Sequence, residues 1–172
     1  MNTPNNKRRR ESVDKLERAL VELLQTETLQ QVTVSQLCQR TGLNRSTFYV
    51  NFLDIYDLAD KLRHRLEQEF SDLFADYDYF SEHTGALRMF QHIKDNPVFY
   101  QTYFKLCYDE KHLISTLDPR RAQQQFQTTD VRYHVEFFRA GFNAIIKLWL
   151  ENGCQESPEE MAAILKAEYR GR

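Results

Sequence analysis

Leu58, Leu62, Leu66, Phe70 and Phe74 recur at every fourth residue, with Leu73 beside them. On an α-helix this spacing draws one apolar stripe. The stripe is therefore helical. Five glycines and four prolines in 172 residues leave few places to break such helices, and period-2 alternation is scarce. The reading is an all-α protein.

Local signals divide the chain. A first helix is expected from about Ser12 to Thr26, with Leu16, Ala19, Leu20, Leu23 and Leu24 inward, Ser12 as N-cap and Asp14 in the first turn. Thr33 followed by Gln36 forms a capping box for a second, short helix, which Gly42 ends in left-handed conformation. Asn44 caps a third helix, RSTFYVNF, and Asp54 caps the long fourth one. DYDYFSEHTG (residues 76–85) bends the chain. Leu87, Phe90 and Ile93 mark a fifth helix. Asn96-Pro97 separates it from a sixth that carries Val98, Phe99, Tyr100, Tyr103, Phe104 and Leu106. Residues 109–129 are polar and glutamine-rich, which predicts helix ends and loop. A long helix spans about 130–151 and closes at Asn152-Gly153. Ser157-Pro158-Glu159-Glu160 opens the last.

The second and third helices, joined at Gly42, make a helix-turn-helix held by Leu37, Cys38, Leu43 and Phe48. Such a unit lays its second helix in the DNA major groove. Asn44, Arg45, Ser46 and Thr47 are then the groups offered to bases. An arginine can take guanine O6 and N7 together, and a threonine methyl suits thymine. Tyr49 offers a phosphate contact through its hydroxyl, and Thr33 joins the set at the start of the second helix. Lys7, Arg8, Arg9 and Arg10 form a loose basic arm for the backbone or minor groove. Charge agrees: up to Phe52 eight basic residues face five acidic ones, a net of +3, and the remainder carries −5.

Val13 to about Leu58 resembles the DNA-binding domain of TetR-family transcriptional regulators, through LERALVELL, TVSQLCQRTGLNRSTFYVNF and Asp57-Leu58. HIKDNPVFYQTYF and FFRAGFNAIIKLWLENGCQESPEEMAAIL resemble the body of a short TetR-like subgroup. The resemblance implies that Tyr49 and Phe52 pack the third helix against the first and fourth. It also implies a repressor that binds a palindromic operator in double-stranded DNA as a homodimer. The family's lysine three residues after that phenylalanine is Ile55 here, which removes one phosphate contact per half-site. A rival reading follows, of a coactivator or adaptor that binds a protein or metabolite with little affinity for DNA.

The expected division is an arm and DNA-binding domain at 1–53 and a helical dimerisation and effector domain at 54–172. By resemblance the last two helices pair with a second subunit. Their apolar spacing nominates Phe138, Phe142, Ile145, Trp149, Met161 and Leu165. Phe70, Phe74, Phe90, Tyr100, Tyr103, Phe104, His134 and Phe138 make a candidate pocket for a small apolar or aromatic ligand, with Tyr103, His134 and Arg139 as polar handles. No serine-hydrolase elbow, HExxH or glycine-rich phosphate loop is present, and the five histidines lack metal spacing. No enzyme activity, cofactor or metal is expected. No apolar run spans a membrane and MNTPNNKRRR is no secretory signal, so a cytoplasmic location is expected.

Overall fold

The computed structural model describes residues 4–73, 84–106 and 130–169. Among these are α1 (Pro4–Leu23), α2 (Val34–Thr41), α3 (Arg45–Asn51), α4 (Ile55–Leu73), α5 (Thr84–Asp95), α6 (Pro97–Leu106), α7 (Val131–Glu151) and α8 (Pro158–Tyr169). A 3₁₀ turn occupies Leu29–Gln31, and no strand occurs among the described residues. The fold is all-α. Phe74, most of the 76–85 bend, Cys107 and the 109–129 stretch lie outside the described residues.

The caps act as their sequences dictate. The Thr33 hydroxyl accepts from the Gln36 amide at 3.2 Å, and the Gln36 Oε1 accepts from the Thr33 amide at 2.7 Å. Gly42, at φ +68°, ends α2. Asp54 Oδ1 accepts from the Asp57 amide at 2.8 Å, and Asp57 Oδ2 accepts from the Leu53 amide at 2.9 Å, so two carboxylates cap the start of α4. Ser157 and Glu160 form a reciprocal capping pair at the start of α8. At the end of α7, Gly153 has φ +74° and the Cys154 amide reaches back to the Trp149 carbonyl at 2.9 Å.

One boundary differs. α1 begins at Pro4 rather than Ser12. Lysine, arginine and glutamate are good helix formers, so KRRRE extends the helix instead of preceding it. Ser12 is no cap: it sits inside α1, where its hydroxyl donates to the Arg8 carbonyl at 2.9 Å.

The described residues fall into two compact units. The first holds the chain up to Glu67 together with Thr102–Leu106; the second holds the other described residues. The break between these units runs through α4 near Glu67. In the first unit α1, α2 and α3 pack on one another. Leu16, Leu20, Leu24, Leu37, Phe48, Leu58 and Leu62 are fully buried there. Each such leucine contributes ~1.5–3 kcal/mol by leaving water. Glu17 is buried on α1 and pairs with Arg65 at 2.8 Å. In the second unit α5 packs along α8, and Phe90 touches both Phe142 and Trp149 of α7 at ring separations of 5.8 and 5.5 Å.

Candidate nucleic-acid interface

α3 has one side for the protein and one for solvent. Phe48 is completely buried and Phe52 nearly so, their rings 5.7 Å apart. Arg45, Ser46, Tyr49 and Val50 are exposed. At 100° per residue these four share one side of the helix. Asn44 holds the N-cap position with extended backbone but makes no side-chain cap bond, so its exposed amide remains available. Thr47 is half-buried, and its carbonyl accepts from the Asn51 side chain at 2.8 Å.

Two sequence expectations are corrected here. Tyr49 does not anchor α3: it is 51% exposed and touches Phe48 edge-on, while Phe48 and Phe52 do the anchoring. Burying tyrosine would also bury its hydroxyl, which an exposed setting avoids. Thr33 is exposed, and its hydroxyl is engaged by Gln36 in the capping box that its sequence predicts. The basic arm is not loose. Lys7 to Arg10 are exposed residues of α1, and Arg9 Nε donates to the Asn51 Oδ1 at 3.0 Å.

The α3–α4 junction is a polar clasp. Lys61 Nζ donates to the Asn51 carbonyl at 3.2 Å and to Asp57 Oδ2 at 2.9 Å, and lies 5.0 Å from the centre of the Phe52 ring. The Lys61 bond, with the Leu53 amide, holds the Asp57 carboxyl below its usual range. Ile55 is buried at the start of α4. The departure from a lysine at this position is therefore a core residue, not a vacant surface site.

Sequence reasoning missed Val50, Asn51 and Lys61. Val50 is 73% exposed on the same side as Arg45 and Tyr49. A β-branched apolar residue at that register was the available signal. The links of Asn51 to Arg9 and Lys61 had none, since both partners are remote in sequence.

The other nominated residues separate. Phe138, Phe142, Trp149, Met161 and Leu165 are buried and Ile145 is half-buried within one chain. That side of α7 packs within the chain's own core. The apolar residues left outside on α7 are Tyr133, Phe137, Ala140, Ala144 and Leu148, with Ile164 on α8. Of the pocket candidates, Tyr103 and Phe104 belong to the first unit, and Phe70, Phe90, Tyr100 and Phe138 to the second. His134 is exposed and is not a handle for an interior ligand. Arg139 is half-buried and pairs with Glu136 at 3.1 Å. Among the described residues no three His, Cys, Asp or Glu side chains group as metal ligands, and no helix is long and apolar enough to cross a membrane.

Residues 77–168, more than half of the chain, match the TetR-type family model described as "Transcriptional regulator C-terminal region". The chain belongs to the TetR family of transcriptional regulators. This TetR-family chain is 26% identical over 98 residues to the HTH-type dhaKLM operon transcriptional activator DhaS of Lactococcus lactis subsp. lactis (strain IL1403), a match covering 56% of this chain and 51% of that protein. The chain thus spans about half the length of the curated relative it matches. A solved structure titled dihydroxyacetone kinase operon activator DhaS superposes with a TM-score of 0.50 at 19% identity, over 91% of this chain and 93% of that one. That likeness is one of fold.

Proposed function

We propose that this TetR-family regulator binds a palindromic operator as a homodimer, with α3 in the major groove. The observation that carries the reading is the two-sidedness of α3: Phe48 and Phe52 are spent on the core, while Arg45, Ser46 and Tyr49 are turned outward beside the uncommitted amide of Asn44. Arg45 reads a guanine edge, Asn44 and Ser46 read or flank neighbouring bases, and Tyr49 holds a phosphate. Arg8 and Arg10 add charge toward the backbone from α1.

The dimer forms through the outer row of α7. Tyr133, Phe137, Ala140, Ala144 and Leu148 keep to one side of the helix at spacings of three and four, and Tyr133, Phe137 and Leu148 are 72%, 62% and 59% exposed. Ile164 of α8 is also exposed, at 44%. An apolar surface of this kind calls for a partner. A two-fold pair would present two copies of α3 to the two halves of a palindrome.

The name of the Lactococcus relative is that of an operon activator, which favours activation over the repression expected from family resemblance. An effector site, if used, draws on the second unit. The indole N–H of Trp149 is buried beside Phe90 and has no hydrogen-bond partner among the described residues, so it suits a ligand with an acceptor atom.

The test is selection of bound sequences from a random duplex pool, with Arg45→Ala and Tyr49→Phe alongside. A palindromic site whose recognition is lost in Arg45→Ala is expected. Retention of DNA without any enriched sequence would instead favour the adaptor reading.

A further inference from the structure

The Arg9 side chain is tied to α3 at one point only. Its Nε donates to Asn51 Oδ1 at 3.0 Å, and its two terminal nitrogens have no hydrogen-bond partner among the described residues. Asn51 is held in turn. Its Nδ2 donates to the Thr47 carbonyl at 2.8 Å, and its own carbonyl accepts from Lys61. One amide side chain therefore joins α1 to α3 while the same residue's backbone is fixed from α4. Asn51 has the required chemistry, since an amide accepts through oxygen and donates through nitrogen at once.

Helix geometry makes Arg9 distinct from its neighbours. Successive residues turn by about 100°, so four consecutive basic residues point around the whole of α1. Only Arg9 is fixed beside α3; Arg8 and Arg10 diverge to either side. An arginine fork whose Nε is already satisfied presents its outer N–H groups with little further ordering to lose.

We propose that Asn51 is a positioning residue that holds Arg9 beside the reading helix, so that Arg9 delivers its terminal N–H groups to a DNA phosphate next to the bases read by α3. This rests on the operator reading above.

The experiment measures affinity of the full-length chain for its selected duplex across a salt series, for the unmodified protein, Arg45→Ala, Arg9→Ala, Arg9→Lys, Asn51→Ala and Arg9→Ala/Asn51→Ala, with Tm recorded for each. Arg9→Ala should weaken binding about tenfold at low salt and reduce the log–log salt slope by about one per half-site. Arg9→Lys should restore part of the slope but not the full affinity. Asn51→Ala should weaken binding when Arg9 is present and change it little when Arg9 is absent. An unchanged slope in Arg9→Ala, or equal Asn51→Ala losses with and without Arg9, would overturn the proposal. Should Asn51→Ala fail to fold, the Arg9→Ala slope alone decides. If the unmodified chain enriches no sequence, the operator reading falls and takes this one with it. If it enriches a site that depends on Arg45 but not on Arg9, only this proposal falls.

Discussion

Nδ1 of His92 lies 2.7 Å from the hydroxyl oxygen of Tyr100, joining α5 to α6 across the Asn96-Pro97 break. The Tyr100 ring is fully buried and meets Phe70 and Phe99 edge-on. Burial pushes the His92 imidazole below its ordinary value, and the Asp95 carboxylate offsets this only in part. The folded chain then holds fewer protons at this site than the unfolded chain. Stability contributed above the ordinary imidazole range declines as pH falls through that range toward the folded pKa. Urea unfolding over a pH series should show this loss, and His92→Gln should flatten it. Tyr100→Phe should cost about 1 kcal/mol at neutral pH.

Acid should act on the first unit through another group. The Lys61 and Leu53 hydrogen bonds lower the Asp57 carboxyl. Its contribution is present above the ordinary carboxylate range and is lost as pH falls through the lowered folded value. Asp57→Asn should blunt the acid dependence of unfolding measured by circular dichroism. If the acid limb is unchanged in Asp57→Asn, the clasp does not stabilise the junction of α3 and α4.

Gly42→Ala tests the turn. A Cβ at Gly42 would meet nothing within 4 Å, so the cost is that of the left-handed backbone alone. We expect a loss of roughly 1–2 kcal/mol in unfolding free energy, with Gly42→Asn milder. A neutral Gly42→Ala would mean that the turn relaxes to negative φ.

The helix starts carry separable stability. Thr33→Ala and Ser157→Ala each remove one acceptor from a reciprocal capping pair. Each should cost about 1 kcal/mol. The sites lie in different units, so in the double variant the losses should add. Chemical denaturation of the three variants measures this.

The two sides of α7 should respond differently. Phe137→Glu or Leu148→Glu alters an exposed apolar residue and should give a folded monomer by analytical ultracentrifugation, with weakened operator binding. Phe142→Ala removes a fully buried ring stacked on Phe138 and should cost about 3–5 kcal/mol of fold stability. A dimer that survives both glutamates would place the two-fold interface elsewhere.

Capping boxes, the glycine turn and the Asn-Pro break were legible because each is decided within about four residues. The polar and aromatic halves of GLNRSTFYVNF were legible for the same reason, although Tyr49 suits an inward as well as an outward position by sequence alone. The start of α1 was not. KRRRE reads equally as a solvated tail and as a run of helix formers, and Ser12 reads as a cap or as an interior residue that bonds back to Arg8.

By itself the sequence determined the order of the helices, the capping boxes of α2 and α8 and the presence of a helix-turn-helix, since these follow from local hydrogen bonding and the period of apolar residues. Tertiary structure decided which surfaces remain. α7 carries large apolar residues on more than one side, and only packing against α5 makes Phe142 and Trp149 core while leaving Phe137 and Leu148 outside. Likewise Arg9 and Asn51 stand 42 positions apart. Their hydrogen bond exists because α1 and α3 pack together, and no local pattern in either segment encodes the meeting.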